Sequence, residues 1–404
     1  MRPPRHQSSL AWAGSFGSVA TPHDGSSSAP LDRRDRRARA CDRTDDPASL
    51  PPAAFPITEP AAEHRFCGWL YGSRDPLVMN RAYDTFAEHA ADFDAVHPTW
   101  FHVSAPTRIT PRAVGVDDPR VLAHTTRGGA RTRLIPTIQA EDRPDRDYAH
   151  TMIHDPTLRR RHVEAIVALV AEGHYDGIDL DYEHLADTLG EGQSLADEGR
   201  AFSAFVTEVA AALHAEGKTL SLAVPAESGP SEVYDYEALA AAADQVHVMG
   251  YDYHWEGGPH LGPVAPLGWI RGVVSYIGTI DGGHRRNQFL LGVPNYGLVG
   301  AGATLCSPTT ACLALAGTDY RTTTSHACSM GDLEAGRAPN QTLPDGREMF
   351  FDDIASLEEK VDVAAQGGLG GIAYWSIGGE PDRPGPRSFF EMVRYRYPRA
   401  DVPL

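Results

Sequence analysis

The stretch "HYDGIDLDYEHL", residues 174–185, sets Asp176, Asp179, Asp181 and Glu183 into an otherwise apolar run. Read as a β-strand over 177–183, its period of two puts Asp179, Asp181 and Glu183 on one face and Ile178, Leu180 and Tyr182 on the other. The apolar face needs a cover of helices. The acidic face then points into a parallel barrel and rises toward the C-terminal mouth, where active sites of that architecture lie. Asp176 has the opposite parity and adjoins Gly177, so a backbone role at the beginning of the strand is expected of it.

Outward from this strand, short apolar runs alternate with amphipathic stretches, the pattern of an α/β fold. The candidate strands are 66–71, 97–104, 132–138, 177–183, 219–225, 245–251, 289–295 and 369–375. Between them lie helical patterns such as "PTLRRRHVEAIVALVAEG" (156–173), with Val163, Ile166, Val167 and Val170 on one face and Pro156 in the first turn. "LADEGRAFSAFVTEVAAALHAEG" follows the fourth strand and "DIASLEEKVDVAAQGG" precedes the eighth, each ending in glycine. The pattern predicts a (β/α)8 TIM barrel with an insertion between strand 7 and strand 8, at residues 298–347. The barrel is expected over 61–400. Residues 1–60, rich in Pro, Ser, Arg and Asp and without periodicity, read as a disordered leader.

At 404 residues the chain exceeds the roughly 250 that such a barrel needs. Its 36 basic and 54 acidic residues leave a net charge of −18, which argues against nucleic acid and anionic membrane as partners. No apolar run reaches the roughly 18 residues of a membrane span, and "LAWAGSFGSVA" (10–20) is too weak for a signal peptide. Of the five cysteines, Cys306, Cys312 and Cys328 fall close together, which points to at least one disulfide and an oxidising compartment. No C-x-x-C pair or His/Cys ligand spacing appears, so no metal is expected; no G-x-S-x-G elbow or H-E-x-x-H appears either, and the Gly-rich 297–304 lacks the lysine of a phosphate loop.

Three carboxylates so close together cannot all ionise cheaply in a partly dry site, so one proton is retained near neutrality. Glu183, outermost and longest, is the natural proton donor to a leaving group. Salt bridging or calcium binding are the blander uses of such a cluster.

"DGIDLDYE" fits the D-G-x-D-x-D-x-E signature of family 18 glycoside hydrolases, the chitinase-like barrels, which the chain resembles over about residues 62–398. Met249, Tyr251 and Asp252 in "VMGYDYHW" match the family's M-x-Y-D, and Trp375 in "GGIAYWSIGGE" matches the tryptophan that ends its eighth strand. The third-strand S-x-G-G is replaced by "LIPTIQA". "YDYHWEGGPHLGPVAPLGWI" (251–270) and "GLGGIAYWSIGGE" (368–380) look more like the bacterial branch of spore-cortex and cell-wall N-acetylglucosaminidases than like the large secreted chitinases.

The resemblance implies a glycosidase without cofactor, acting on β-1,4 bonds of an N-acetylglucosamine polysaccharide by substrate-assisted retention. Glu183 would be the acid/base and Asp181 would hold the 2-acetamido N–H, with Asp179 beneath modulating it. Tyr251 would bond the acetamido carbonyl, Asp252 and Met249 would line the site, and Trp375 would form its floor. Trp255 and Tyr296 are the favoured sugar-stacking aromatics, ahead of Trp69, Tyr71, Trp100 and Tyr253. A monomer working outside the cell or in its envelope is expected. The rivals are a non-catalytic lectin-like barrel and an endo-acting hydrolase of N-glycan cores.

Overall fold

In the computed structural model, residues 64–397 are described apart from 73–75, 113–114, 143–146, 190–192, 301–302, 307–339, 344 and 379–388. The strands are β1 (Arg65–Leu70), β2 (Ala95–Pro98), β3 (Phe101–Ala105), β4 (Arg108–Pro111), β5 (Arg133–Leu134), β6 (Thr137–Glu141), β7 (Gly177–Glu183), β8 (Thr219–Pro225), β9 (Gln245–Met249), β10 (Phe289–Pro294), β11 (Gly297–Val299), β12 (Thr304–Cys306), β13 (Asn340–Thr342), β14 (Glu348–Phe351) and β15 (Gly371–Trp375). Parallel pairing runs from β6 through β7, β8, β9, β10, β15 and β1 to β2. The ring closes because β2 pairs with β5 while β3 pairs with β6. The protein is therefore a (β/α)8 TIM barrel in which the second and third barrel strands are each broken once.

Pro136 sits at the second break, where a ring without an N–H cannot continue the ladder, yet its carbonyl still accepts from Asp179 N at 2.9 Å. The third strand therefore runs on to Glu141, beyond the expected end at 138, and adds Gln139 and Glu141 beside the acidic strand. The expected strand 97–104 likewise resolves into β2 and β3, and β3 turns back as a hairpin with β4.

The outward side chains of the strands, Ile178, Leu180 and Tyr182 among them, join the helices in one large core. Inside, Cys67, Trp69, Ala95, Ile135, Ala223, Leu290 and Ala373 form a second, small cluster that plugs the barrel. The helix Pro156–Gly173 starts on Asp155, whose side chain accepts from Thr157 N and Leu158 N, and buries Val163, Ile166 and Val170. Helix Leu195–Ala215 follows β7 and helix Ile354–Gln366 precedes β15.

Gly177, the glycine of the signature, stands where a Cβ would come within 2.1 Å of the Thr219 carbonyl oxygen. Gly371 begins β15 at φ 146°, a backbone region closed to side chains, with the Arg65 carbonyl against it. Cys67 is buried and unpaired. The expected disulfide involves cysteines outside the residues whose side chains are described. No helix among the described residues is long and apolar enough to cross a membrane.

Between β10 and β15, strands β11 to β14 form a separate antiparallel sheet in the order β12-β11-β14-β13. Its exit into the helix Ile354–Gln366 is held by a buried ion pair, Lys360 to Asp352, with Ser356 Oγ also donating to Asp352. Lys360→Met would strip a carboxylate in the protein interior of its counter-charge. A loss of about 3–5 kcal/mol is expected, read as a lower urea midpoint at unchanged m-value; an unchanged midpoint would contradict the assignment.

Candidate active site

The three inward carboxylates of β7 form a ladder from the barrel interior to its mouth. Asp179, the lowest, is inaccessible to solvent. Its register neighbours are Thr137 on β6 and Ser221 on β8, and both hydroxyls donate to it, at 2.9 and 2.7 Å. The Trp69 indole donates a third hydrogen bond at 3.0 Å. His247 Nδ1 stands 3.4 Å from Asp179 Oδ1, off the hydrogen-bonding direction. Burial opposes ionisation here, but His97, His247 and the Ser221 hydroxyl outweigh it and hold Asp179 well below the ordinary carboxylate range. Burial also keeps His97 neutral down to about 3, so near neutral pH the hydrogen-bond donors carry the anion.

Asp181, one layer up, is 6% exposed and accepts from Gln139 Nε2 at 2.9 Å. Its other oxygen, Oδ1, is buried and meets no donor in the protein. Burial pushes its pKa up to about 7; the Gln139 bond works the other way, while the charges of Asp179 and Glu141 add to the rise. Gln139 is itself bonded by Arg112.

Glu183, at the partly exposed top, is raised further. Burial leads, and the charges of Asp181, Glu141 and Asp252 reinforce it, so this carboxyl holds its proton well above the usual range. Three carboxyls thus differ in proton affinity, graded by depth and by how many donors each one meets. Asp176 behaves as its parity implies, accepting from Leu134 N at 2.7 Å below the ladder.

Around the mouth, Trp375 ends β15 with its ring stacked at 25° to Tyr251, centroids 6.5 Å apart, and edge-on to Trp69 and Tyr71. The Trp375–Ser376 peptide is cis. Tyr251 is 7% exposed. Asp252 adopts a left-handed φ of 60°, which aspartate tolerates better than most residues, and accepts from the Tyr296 hydroxyl. Burial raises the Asp252 pKa to about 6, against the pull of Tyr296. Met249 packs between the barrel plug and the cluster of Tyr251, Val264, Tyr296, Leu298 and Ala303.

The structure gathers Asp179, Asp181, Glu183, Tyr251, Asp252, Met249, Tyr296 and Trp375 at one end of the barrel. Tyr296 is buried against Asp252, so its ring offers no open face for stacking. Trp255 lies in the loop after β9 with its indole over Gly258. Trp69 and Trp100 are interior: Trp69 serves Asp179, and Trp100 donates to Tyr83 at 3.0 Å. Gln139, Glu141 and Arg112 escaped the sequence reading. Alternation carried past Pro136 would have exposed the first two; Arg112 follows a hairpin strand with no signal of its own.

Trp69→Phe removes one donor from a buried carboxylate, and the expected destabilisation is about 1–3 kcal/mol at neutral pH. The folded pKa of Asp179 is depressed, so its contribution is present above the unfolded value of about 3.9 and is lost as pH falls through the folded one. The gap between wild type and variant should therefore narrow in acid. A gap independent of pH would assign the loss to packing alone.

The family model for "Glycosyl hydrolases family 18" matches residues 142–380, more than half of the chain and the whole span from the end of β6 past β15. The chain belongs to family 18 of the glycosyl hydrolases. A Bacillus subtilis protein named as a sporulation-specific glycosylase, YdhD, is 29% identical over 215 residues, 52% of this chain and 42% of that one. The chain spans about half the length of the curated relatives it matches. Among solved structures, the spore cortex-lytic enzyme SleL of Bacillus cereus aligns with a TM-score of 0.64 at 19% identity over 83% of this chain and 74% of that one. A chitinase of Chromobacterium violaceum aligns at 0.65 and 21% over 83% and 99%. These two likenesses speak for the fold.

Proposed function

We propose that this member of family 18 is a glycosidase that cleaves β-1,4 bonds of an N-acetylglucosamine polysaccharide, in chitin, chitooligosaccharide or peptidoglycan, by substrate-assisted retaining catalysis. The observation that carries the reading is the bare Oδ1 of Asp181. A buried carboxylate oxygen without a donor costs free energy unless a ligand supplies one, and a 2-acetamido N–H is a donor of the right kind, lying beside the anomeric carbon it must help attack.

In this scheme Glu183, protonated before the reaction, gives its proton to the glycosidic oxygen as the acetamido oxygen closes on the anomeric carbon. The carboxylate left behind then takes a proton from the water that opens the oxazolinium ion. Asp181 accepts the acetamido N–H and its carboxylate stabilises the cation, while the fixed anion of Asp179 beneath raises the proton affinity of Asp181. Tyr251 bonds the acetamido carbonyl, Asp252 positions the group with Tyr296 behind it, and Trp375 with Met249 forms the apolar floor. Trp255 serves a sugar farther along the cleft.

The catalytic unit is residues 61–400, with 298–347 an insertion between the seventh and eighth barrel strands and 1–60 a leader. It works as a monomer on a glycan of the cell envelope or the extracellular space. The names of the sporulation and cortex-lytic relatives favour peptidoglycan within that class.

Release of 4-methylumbelliferone from N-acetylglucosamine oligomers of increasing length tests the reading, and the preferred length separates exo from endo action. Glycan binding without release from any oligomer or from peptidoglycan would move the protein to the lectin-like alternative.

A further inference from the structure

Behind the active site, on the outer side of the barrel, the helix Tyr148–His154 faces the start of the helix Leu195–Ala215. His150 and His154, one turn apart on the same face, both reach Glu198, with Nδ1 of the first 2.8 Å and Nε2 of the second 2.7 Å from its Oε2. The Glu198 side chain is fully buried and its Oε1 has no partner. His150 is 11% exposed and His154 37%, so the cluster opens to solvent on one side.

We propose that His150, His154 and Glu198 form a binding site for a divalent transition metal, zinc fitting best. Two imidazoles and one carboxylate are a usual protein ligand set for zinc, with water in the fourth place. Zinc–ligand bonds of about 2.0–2.1 Å set tetrahedral donors about 3.3 Å apart. The three donor atoms already lie within 4.8 Å of one another. The two close contacts need to widen by only about half an ångström, which the partly exposed His154 side chain can supply.

Gln193 provides the outer support that metal-bound histidines require. Its amide lies 3.1 Å from His150 Nε2, and with the amide oxygen turned inward it accepts the Nε2–H and frees Nδ1 for the ion. Amide and tautomer reorient together without moving the ring. The ion would also give the bare Oε1 of Glu198 a cationic neighbour, an interaction that the two histidines, both on Oε2, do not supply.

The consequence reaches the catalytic strand. Asp142, at the end of β6, accepts from Ala149 N and His150 N at the start of the same helix, and its own N–H donates to the Glu183 carbonyl. A metal at this position would pin the helix that Asp142 ties to Glu183. The sequence hides the site, because the histidine pair lies more than forty residues from Glu198 and carries none of the cysteine-bearing spacings of familiar zinc motifs.

The test is calorimetric titration of the chelator-stripped full chain with zinc sulfate, beside His154→Ala and Glu198→Gln, with cobalt absorption as a second readout of ligand geometry. The expected wild-type result is one tight equivalent and a concentration-dependent rise in Tm. His154→Ala, at a partly exposed position, should fold and bind at least about 100-fold more weakly. No tight equivalent in the wild type would overturn the proposal. So would unchanged affinity in His154→Ala, which would place the ion on the cysteines or elsewhere.

Discussion

Glu183→Gln is expected to lower kcat on a cleaved N-acetylglucosamine oligomer by about 10³-fold while leaving the fold intact. General acid–base catalysis contributes about 10²–10⁴-fold, and glutamine keeps the shape of the carboxyl while losing the proton it must give. Stability should hold, since burial and the charges of Asp181, Glu141 and Asp252 already keep Glu183 in its neutral form. Glutamine reproduces that neutral state in the same shape. Parallel measurement of kcat and Tm decides the matter. A loss of activity under tenfold would remove Glu183 from the acid role, and a large fall in Tm would recast it as structural.

Asp181→Asn is expected to cost about 10²–10³-fold in kcat, the scale of removing one preorganised electrostatic contact to a developing charge. It should also move the pH profile. Asp181 titrates at about 7 and its charge is among the causes of the raised Glu183 pKa, second to burial. Neutral asparagine cannot repel the Glu183 anion, so Glu183 should ionise at lower pH. The alkaline limb of kcat/KM, which follows loss of the acid form, then shifts acidward. Because the two carboxyls titrate as a pair, the limbs of the wild-type profile belong to both. An alkaline limb that stays in place in Asp181→Asn would show that the two groups do not communicate.

What the sequence disclosed followed from unbroken alternation. Strands β7 and β8 occupy the residues expected, 177–183 and 219–225, because every second side chain there meets the helices and none is proline before the last position. The acidic face was legible for the same reason, as were Tyr251, Asp252 and Trp375 through their motif spacing. The third barrel strand was misjudged because Pro136 interrupts the ladder while the chain keeps its direction, and this hid Gln139 and Glu141. The protonation gradient was beyond any one-dimensional reading. It depends on Trp69, Thr137 and Ser221 arriving from three other strands beneath Asp179 and failing to reach Asp181. The leader and most of the expected insertion lie outside the described residues.

Substrate-assisted attack makes one prediction that no other use of these carboxylates shares in full. Proton NMR of the first product formed from an N-acetylglucosamine tetramer reads the anomer directly, and the same run with the glucose tetramer asks whether the acetamido group is needed. The account predicts the β-anomer first, turning slowly to the α-anomer in solution, and no cleavage of the glucose chain. The α-anomer appearing first, or comparable cleavage of both chains, would contradict it.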